Sequence, residues 1–416
     1  MNRKSRWYRL LCLMLATLLL LSACSSPAPA PKEEEPQPEE NKPVEYFTYL
    51  TDDAEIPSGL PSLAVELPAY TGKRTFQGLT YDEIWGYDVR HMDISDVDLS
   101  AVEDYNDLSF STSTVWPEKL PEGFDPEAIL ELGKNPGLGI RDIHAQGITG
   151  KGVSIAIIDQ ALYTGHQEYK DNLMTSEWIH KNGPTSQMHG SGVCSIAAGR
   201  EVGVAPDAKI YYISTSFGYD PTEPGEEFLY DQSLLADCIR RVLAINQHLP
   251  EEDKIRVISV SLGYTPEKDL GVEELTAAIQ EAEDAGLLVL TTSTWRYYKD
   301  FGIMGMSRDY WADPDDIHSY GPAEWLESPT EMADHYFVPM GSRTYASFTG
   351  EDQYEINHEG GLSWAVPWLA GLYALCCQVK PEITPQEFID TVKATSTTVD
   401  FGHVVNPAAI MDALQQ

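Results

Sequence analysis

Four short runs of apolar, mostly β-branched residues punctuate the C-terminal two-thirds of the chain. They are VSIAIID (153–159), AKIYYIS (208–214), RVISVSLG (256–263) and GLLVLTTS (286–293). Each is apolar on both alternating faces, the mark of a strand buried on both sides in a parallel sheet. Between them, DQSLLADCIRRVLAINQ (231–247) and VEELTAAIQEAEDAG (272–286) carry apolar residues at helical spacing. The second stops at a glycine, a common helix terminator. HGSGVCSIAAG (189–199) reads as a helix of small residues that packs closely, and GGLSWAVPWLAGLYALCCQV (360–379) as a long apolar helix. Strands alternating with helices predict an α/β fold, a mostly parallel twisted sheet with helices on both faces. Functional residues of such sheets gather at the C-terminal ends of the strands.

The N-terminal third has a different texture. Arg3, Lys4, Arg6 and Arg9 precede an apolar run from Leu10 to Leu21, which ends in Leu21-Ser22-Ala23-Cys24. The run is too short to span a bilayer, which takes about 20 residues. It reads as an export signal over 1–23. Its end resembles a bacterial lipobox, which implies cleavage before Cys24 and lipidation of that cysteine. Two acyl chains suffice for stable anchoring. Residues 24–45 are dominated by proline and glutamate and predict an extended, self-repelling tether. The expected location is therefore the outer face of the cell membrane. Residues 46–136 are rich in Asp, Pro and aromatics with little clean periodicity. GLTYDEIWGYDVRHMDISDVDLSAVEDY has room for one short helix and a strand, and FDPEAILELGKN predicts a helix capped by Asp125 and Pro126. The stretch is either an N-terminal extension or a removable pro-region. Cutting it near 136 would detach the rest from the anchor, so retention is expected. Residues 137–416 form the main domain.

The formal net charge is −37, and loss of the leader's basic residues makes the remainder more acidic still. That argues against nucleic acid and against adhesion to anionic lipid, and serves solubility. Of six cysteines, Cys12 leaves with the leader and Cys24 is the lipid site. Cys194, Cys238, Cys376 and Cys377 remain, with no CxxC pair and no zinc spacing, and are expected as free buried thiols.

Three polar residues stand at element ends. Asp159 ends the first strand. His189 opens a small-residue helix. Ser363 follows two glycines and precedes the long apolar helix, where the helix dipole favours a developing negative charge. Taken singly, each is as well explained by a turn, a surface histidine or a loop serine. Together and in this order, they resemble the subtilisin-like serine protease family. Gly203-Val204-Ala205-Pro206 also sits where that family has a similar run. Over roughly 137–413, the resemblance implies a serine endopeptidase acting by acyl transfer, which the lipobox would anchor to the membrane. Ser363 would be the nucleophile, His189 the general base and acid, and Asp159 the group that orients the imidazole. It further implies that Ser261, Leu262 and Gly263 pair with a polypeptide substrate as an added strand. Family members often carry structural calcium. No carboxylate loop for it is legible, so neither metal nor cofactor is expected, and the chain is expected to be a monomer.

The chain departs from the family at one place that matters. Thr294 and Trp295 stand where the family carries Gly-Asn, and that Asn donates to the oxyanion. Thr294 offers a hydroxyl and Trp295 a ring N–H, so these two are the expected substitutes, together with the Ser363 N–H. Losing such a donor costs about 10²–10³ in turnover. The alternative reading is therefore a pseudoprotease that binds peptide or a partner protein. A solute-binding lipoprotein suits the anchor but leaves the three polar residues unexplained. Residues 296–343 are expected as loops beside the cleft.

Overall fold

Each of the four apolar runs is a strand, and a fifth joins them. In the computed structural model, which describes residues 74–76, 79–82, 86–180, 186–222, 225–323, 326 and 335–416, the central strands are Ser154–Asp159 (β1), Leu173–Trp178 (β2), Lys209–Ser214 (β3), Ile255–Val260 (β4) and Leu288–Thr291 (β5). They pair in the order β5-β4-β1-β3-β2, and every pair is parallel. β2 is an edge strand that begins half-exposed and carries Thr, Ser and Glu, so it lacks the doubly apolar texture of the others. The leader, Cys24 and the tether lie outside the described residues.

Alternation along the strands divides the core. Ile155, Ile157, Ile210, Tyr212, Leu288 and Leu290 face one side, where Met188–Ala198 (α1) and Leu362–Val379 (α4) pack. Ala156, Ile158, Tyr211, Ile213 and Val289 face the other, against Gln232–His248 (α2) and Val272–Asp284 (α3). Full burial of each such Ile or Leu contributes roughly 1.5–3 kcal/mol. α4 is long and apolar enough to cross a membrane, but it is mostly buried and serves as a core helix. It packs closely on α1: a Cβ on Gly371 would stand 2.8 Å from the Ala197 carbonyl. The four cysteines of the described chain are free and buried.

Two further sheets flank this centre. The stretch 296–343, expected as loops, instead supplies the strands Gly302–Arg308, Tyr320–Pro322 and His335–Pro339, which build a five-stranded sheet with Gly402–Val404 and Thr397–Val399. GIMGMSR does not read as a strand, because glycine and methionine are poor strand signals. Tertiary packing decides it: all seven residues are buried, and Gly305 leaves the room that the Met340 side chain fills.

The third sheet joins the N-terminal extension to the main domain. Strand Leu108–Ser111 pairs antiparallel with Tyr354–Asn357, which pairs with Arg343–Ala346. A core of Phe110, Phe124, Ile129 and Leu130 from the extension closes on Val202, Tyr310, Tyr354 and Ile356. Helix Pro126–Gly133 starts as expected, with the Asp125 carboxylate accepting from the Ala128 N–H. At the proposed seam, the Pro136 carbonyl accepts from the buried Trp368 indole (2.8 Å) and from Arg343 (3.3 Å).

An ion cluster clamps the same junction. Buried Glu355 accepts from Arg90 (2.9 Å), His91 Nε2 (3.0 Å) and Ser347 (2.6 Å). Burial pushes its carboxyl pKa up, but the His91 hydrogen bond and the Arg90 charge outweigh that and hold it at about 2, below the usual 4.5. A depressed carboxylate contributes stability above the unfolded value, and that contribution is lost as pH falls through the folded one. Unfolding stability should therefore drop between about pH 4.5 and 2. Glu355→Gln should blunt that drop and cost about 1.5–3 kcal/mol at neutral pH in urea unfolding, since it removes the charged acceptor that Arg90 and His91 share, while Arg90 keeps its pair with Asp88. A loss below about 0.5 kcal/mol would refute the clamp.

Candidate active site

The C-terminal ends of β1, β3 and β4 open onto a cleft of about 390 Å³. Its lining includes His189, Ser363, Ser261 and Leu262. Asp159, the last residue of β1, is fully buried. Its Oδ1 accepts from its neighbour's N–H (Gln160, 2.7 Å) and from His189 Nδ1 (2.6 Å). A carboxylate only accepts, so Nδ1 carries the proton and Nε2 is left as the basic nitrogen. Asp159 Oδ2 is buried with no partner among the described residues. An orphan of this kind is expensive and concentrates at reactive sites.

His189 reaches the cleft because it is the second residue of α1 and the helix is made of small residues. A Cβ on Gly190 would run into the Gln160 carbonyl and the Tyr212 hydroxyl, so only glycine lets this turn approach the end of β1. Burial lowers the affinity of His189 for a proton. The Asp159 charge and hydrogen bond together outweigh this, so its pKa sits above the ordinary imidazole value of 6.5.

Ser363 is the second residue of α4, so its N–H is among the first-turn donors that no helical carbonyl takes. Four residues on, Pro367 has no N–H to return to the Ser363 carbonyl. Ser261 fills that gap: its hydroxyl donates to the Ser363 carbonyl at 2.8 Å, and the Ser363 hydroxyl donates back to the Ser261 carbonyl at 3.1 Å. The serine thus rests on the strand end instead of on His189, although both side chains line one cleft.

The other expected residues are distributed less simply. Leu262 lines the cleft, while Gly263 lines the adjoining groove. A Cβ on Gly263 would meet the Thr292 hydroxyl at 2.5 Å and the Ser293 hydroxyl at 2.7 Å. Leu262 also accepts from the Thr292 N–H at 3.2 Å. Thr294 and Trp295 are not brought to Ser363. After β5 the chain enters a 3₁₀ turn, Thr294–Arg296, which carries both side chains elsewhere. The buried Thr294 hydroxyl donates to the Thr291 carbonyl (2.6 Å). Trp295 is 48% exposed, beneath the Arg296 guanidinium. Neither lines the cleft.

Sequence reasoning passed over two contributors. One is the hairpin Gly218–Tyr219 and Leu229–Tyr230, which brings Phe228 and Tyr230 to the cleft beside Trp178 and Phe217. Its signal was legible: aromatic pairs flank a Pro- and Gly-rich turn cluster. The other is Trp364, whose ring lies 5.3 Å from that of His189. Among the described residues, no group of three or more His, Cys, Asp or Glu is placed to hold a metal ion.

Residues 150–294 match the model of the subtilase family. That span takes in Asp159, His189 and Ser261 and ends before Ser363. Among characterised proteins the chain is similar to the subtilisin-like protease PopC of Myxococcus xanthus (strain DK1622), with 23% identity over 331 residues. The match covers 71% of this chain and 66% of that protein, so the chain spans just under two thirds of the relative's length. Among solved structures it is similar to the prenylagaramide maturation protease PagA, at 18% identity and a TM-score of 0.47, over 67% of this chain and 99% of that one. It is also similar to MycP1 of the ESX-1 type VII secretion system, at 18% identity and a TM-score of 0.45, over 66% of this chain and 84% of that one.

The shared carbonyl predicts a coupling. Ser261→Ala should cost about 1–2 kcal/mol in urea unfolding, because it leaves the Ser363 carbonyl without its donor. Adding Pro367→Ala restores an N–H four residues on and should recover part of the loss. A coupling within about 0.3 kcal/mol of zero would mean the two residues do not share that carbonyl.

Proposed function

We propose, from the premise that this chain belongs to the subtilase family, that it is a serine endopeptidase working through Asp159, His189 and Ser363. The observation that carries this reading is the 2.6 Å bond from His189 Nδ1 to the buried Asp159. It leaves Nε2 as the base in a cleft that Ser363 also lines. In the reaction, the Ser363 hydroxyl turns about its Cα–Cβ bond from the Ser261 carbonyl to His189 Nε2, and its oxygen attacks the scissile carbonyl. His189 takes the proton and hands it to the leaving amine, and water then resolves the acyl-enzyme. Asp159 holds the tautomer and balances the imidazolium. Departure of the hydroxyl frees the Ser261 carbonyl for a substrate N–H, which supports strand-like binding along Ser261 and Leu262. The Ser363 N–H, at the start of α4, is the donor aimed at the oxyanion. With Cys24 lipidated, the enzyme would work at the outer face of a membrane on polypeptides within reach of its tether.

A second reading keeps the cleft and drops the turnover. It draws on the Thr294 hydroxyl, which is spent on Thr291 where a side-chain donor to the oxyanion is wanted. Such a pseudoprotease would bind peptide without cleaving it efficiently.

Fluorophosphonate labelling separates the two, since the probe asks for an activated serine and needs no knowledge of the substrate. Wild-type protein should label at one serine, and Ser363→Ala should abolish both labelling and casein hydrolysis, a loss of roughly 10⁶ in turnover. A folded wild type that does not label would put the second reading first. The pH profile follows from His189, which is active as the neutral base. Because its pKa is raised, kcat/KM should climb through a midpoint above 6.5 and fall away in acid. Asp159→Asn should lower the rate by about 10⁴ by misplacing the tautomer.

A further inference from the structure

The residue after the nucleophile has an unexpected neighbour. Trp364 is buried, and its ring centroid lies 5.3 Å from that of His189, with 39° between the planes. Tyr345 packs against the same indole at 5.0 Å. Two glycines hold the slot open. A Cβ on Gly192, one turn along α1 from His189, would stand 2.9 Å from the indole Cη2. A Cβ on Gly360, whose φ is +55°, would stand 2.9 Å from Cδ1. Yet the indole Nε1 is buried with no partner among the described residues. An unpaired buried donor is unfavourable, and phenylalanine or leucine would occupy such a slot without one. Packing alone therefore does not account for an indole here. What the indole adds is the most electron-rich aromatic face available to a cation.

We propose that Trp364 is a positioning residue for the reaction above. Its face confines the His189 imidazole to the orientation that bonds Asp159, and it stabilises the imidazolium formed when Ser363 gives up its proton. The inference rests on the triad reading for its catalytic consequence, but its physical content is a property of His189 alone. The distance is within the roughly 6 Å at which a cation and a ring face attract. The titratable groups around the Asp159–His189 pair include Tyr212 on β3, Cys194 on α1, and Asp220 and Tyr230 in the cleft lining. Asp159 makes the hydrogen bond to the ring, and Trp364 lies beside it with its plane tilted by 39°. Asp159 thus fixes one ring nitrogen and Trp364 fixes the ring plane, leaving Nε2 toward the cleft.

The test is an NMR titration of His189 in the full chain, carried out with ¹³C-histidine labelling and assigned by loss of the signal in His189→Asn. It needs no turnover, so it gives an answer even if the chain cleaves nothing. Trp364→Phe keeps an aromatic but less electron-rich face and should move the His189 midpoint part of the way to lower pH. Trp364→Met keeps bulk without the face and should move the midpoint to lower pH. Where the protein is active, Trp364→Met should lower kcat/KM roughly 3–30-fold with KM unchanged and shift its acid limb the same way. Should Trp364→Met fail to fold, growth on 5-fluorotryptophan weakens the ring face without changing its shape. It should lower the midpoint in wild type and not in Trp364→Phe. A His189 midpoint that is the same in wild type, in folded Trp364→Met and in the fluorinated protein would overturn the proposal. Loss of labelling at Ser363 with an intact Trp364 effect would instead count against the triad reading alone.

Discussion

A strand buried on both faces has only its ends to offer to solvent. β1 is such a strand, with every residue from Ser154 to Asp159 buried. The rest of the molecule follows from keeping it dry. Helices must cover both faces, crossovers must run parallel, and anything reactive must stand at the carboxyl ends of the strands. Asp159 is the point where the buried interior meets the cleft. Its carboxylate is wholly removed from water, so the His189 bond carries more weight than it would at the surface.

Ser363 is set by a different device. Helix α4 belongs to the core, and a core helix has no reason to bond a strand end through its own backbone. Pro367 gives it one by breaking the hydrogen-bond ladder at Ser363, and Ser261 at the end of β4 takes the freed carbonyl. A helix on one face of the sheet is thereby tied to the strand end beside β1. A second bond in the same pair holds the Ser363 hydroxyl on the Ser261 carbonyl.

The described part of the extension is tied into the main domain. Its strand Leu108–Ser111 sits inside a sheet with Tyr354–Asn357, its apolar residues share a core with Tyr310 and Ile356, and Pro136 is held by the buried Trp368. None of the residues lining the cleft comes from 86–136. A segment held this way acts as part of the scaffold, and its described portion leaves the site open.

The alternation of VSIAIID, AKIYYIS, RVISVSLG and GLLVLTTS with helical spacing was enough to predict the central sheet and its helices, because burial on two faces writes itself into every position. The Asp125 cap and the placement of Asp159, His189 and Ser363 at element ends were legible for the same local reason. β2 and Gly302–Arg308 were not, since an edge strand and a glycine-methionine strand carry no pattern until neighbours cover them. Nor did any spacing in the chain show that Thr294 turns away after β5, that Ser261 bonds Ser363, or that Trp364 lies against His189. Those partners stand up to 175 residues apart, as Trp364 does from His189. Period and capping are properties of a single segment and belong to the sequence. Contacts between side chains on different elements exist only after the sheet has closed, and those belong to the tertiary structure.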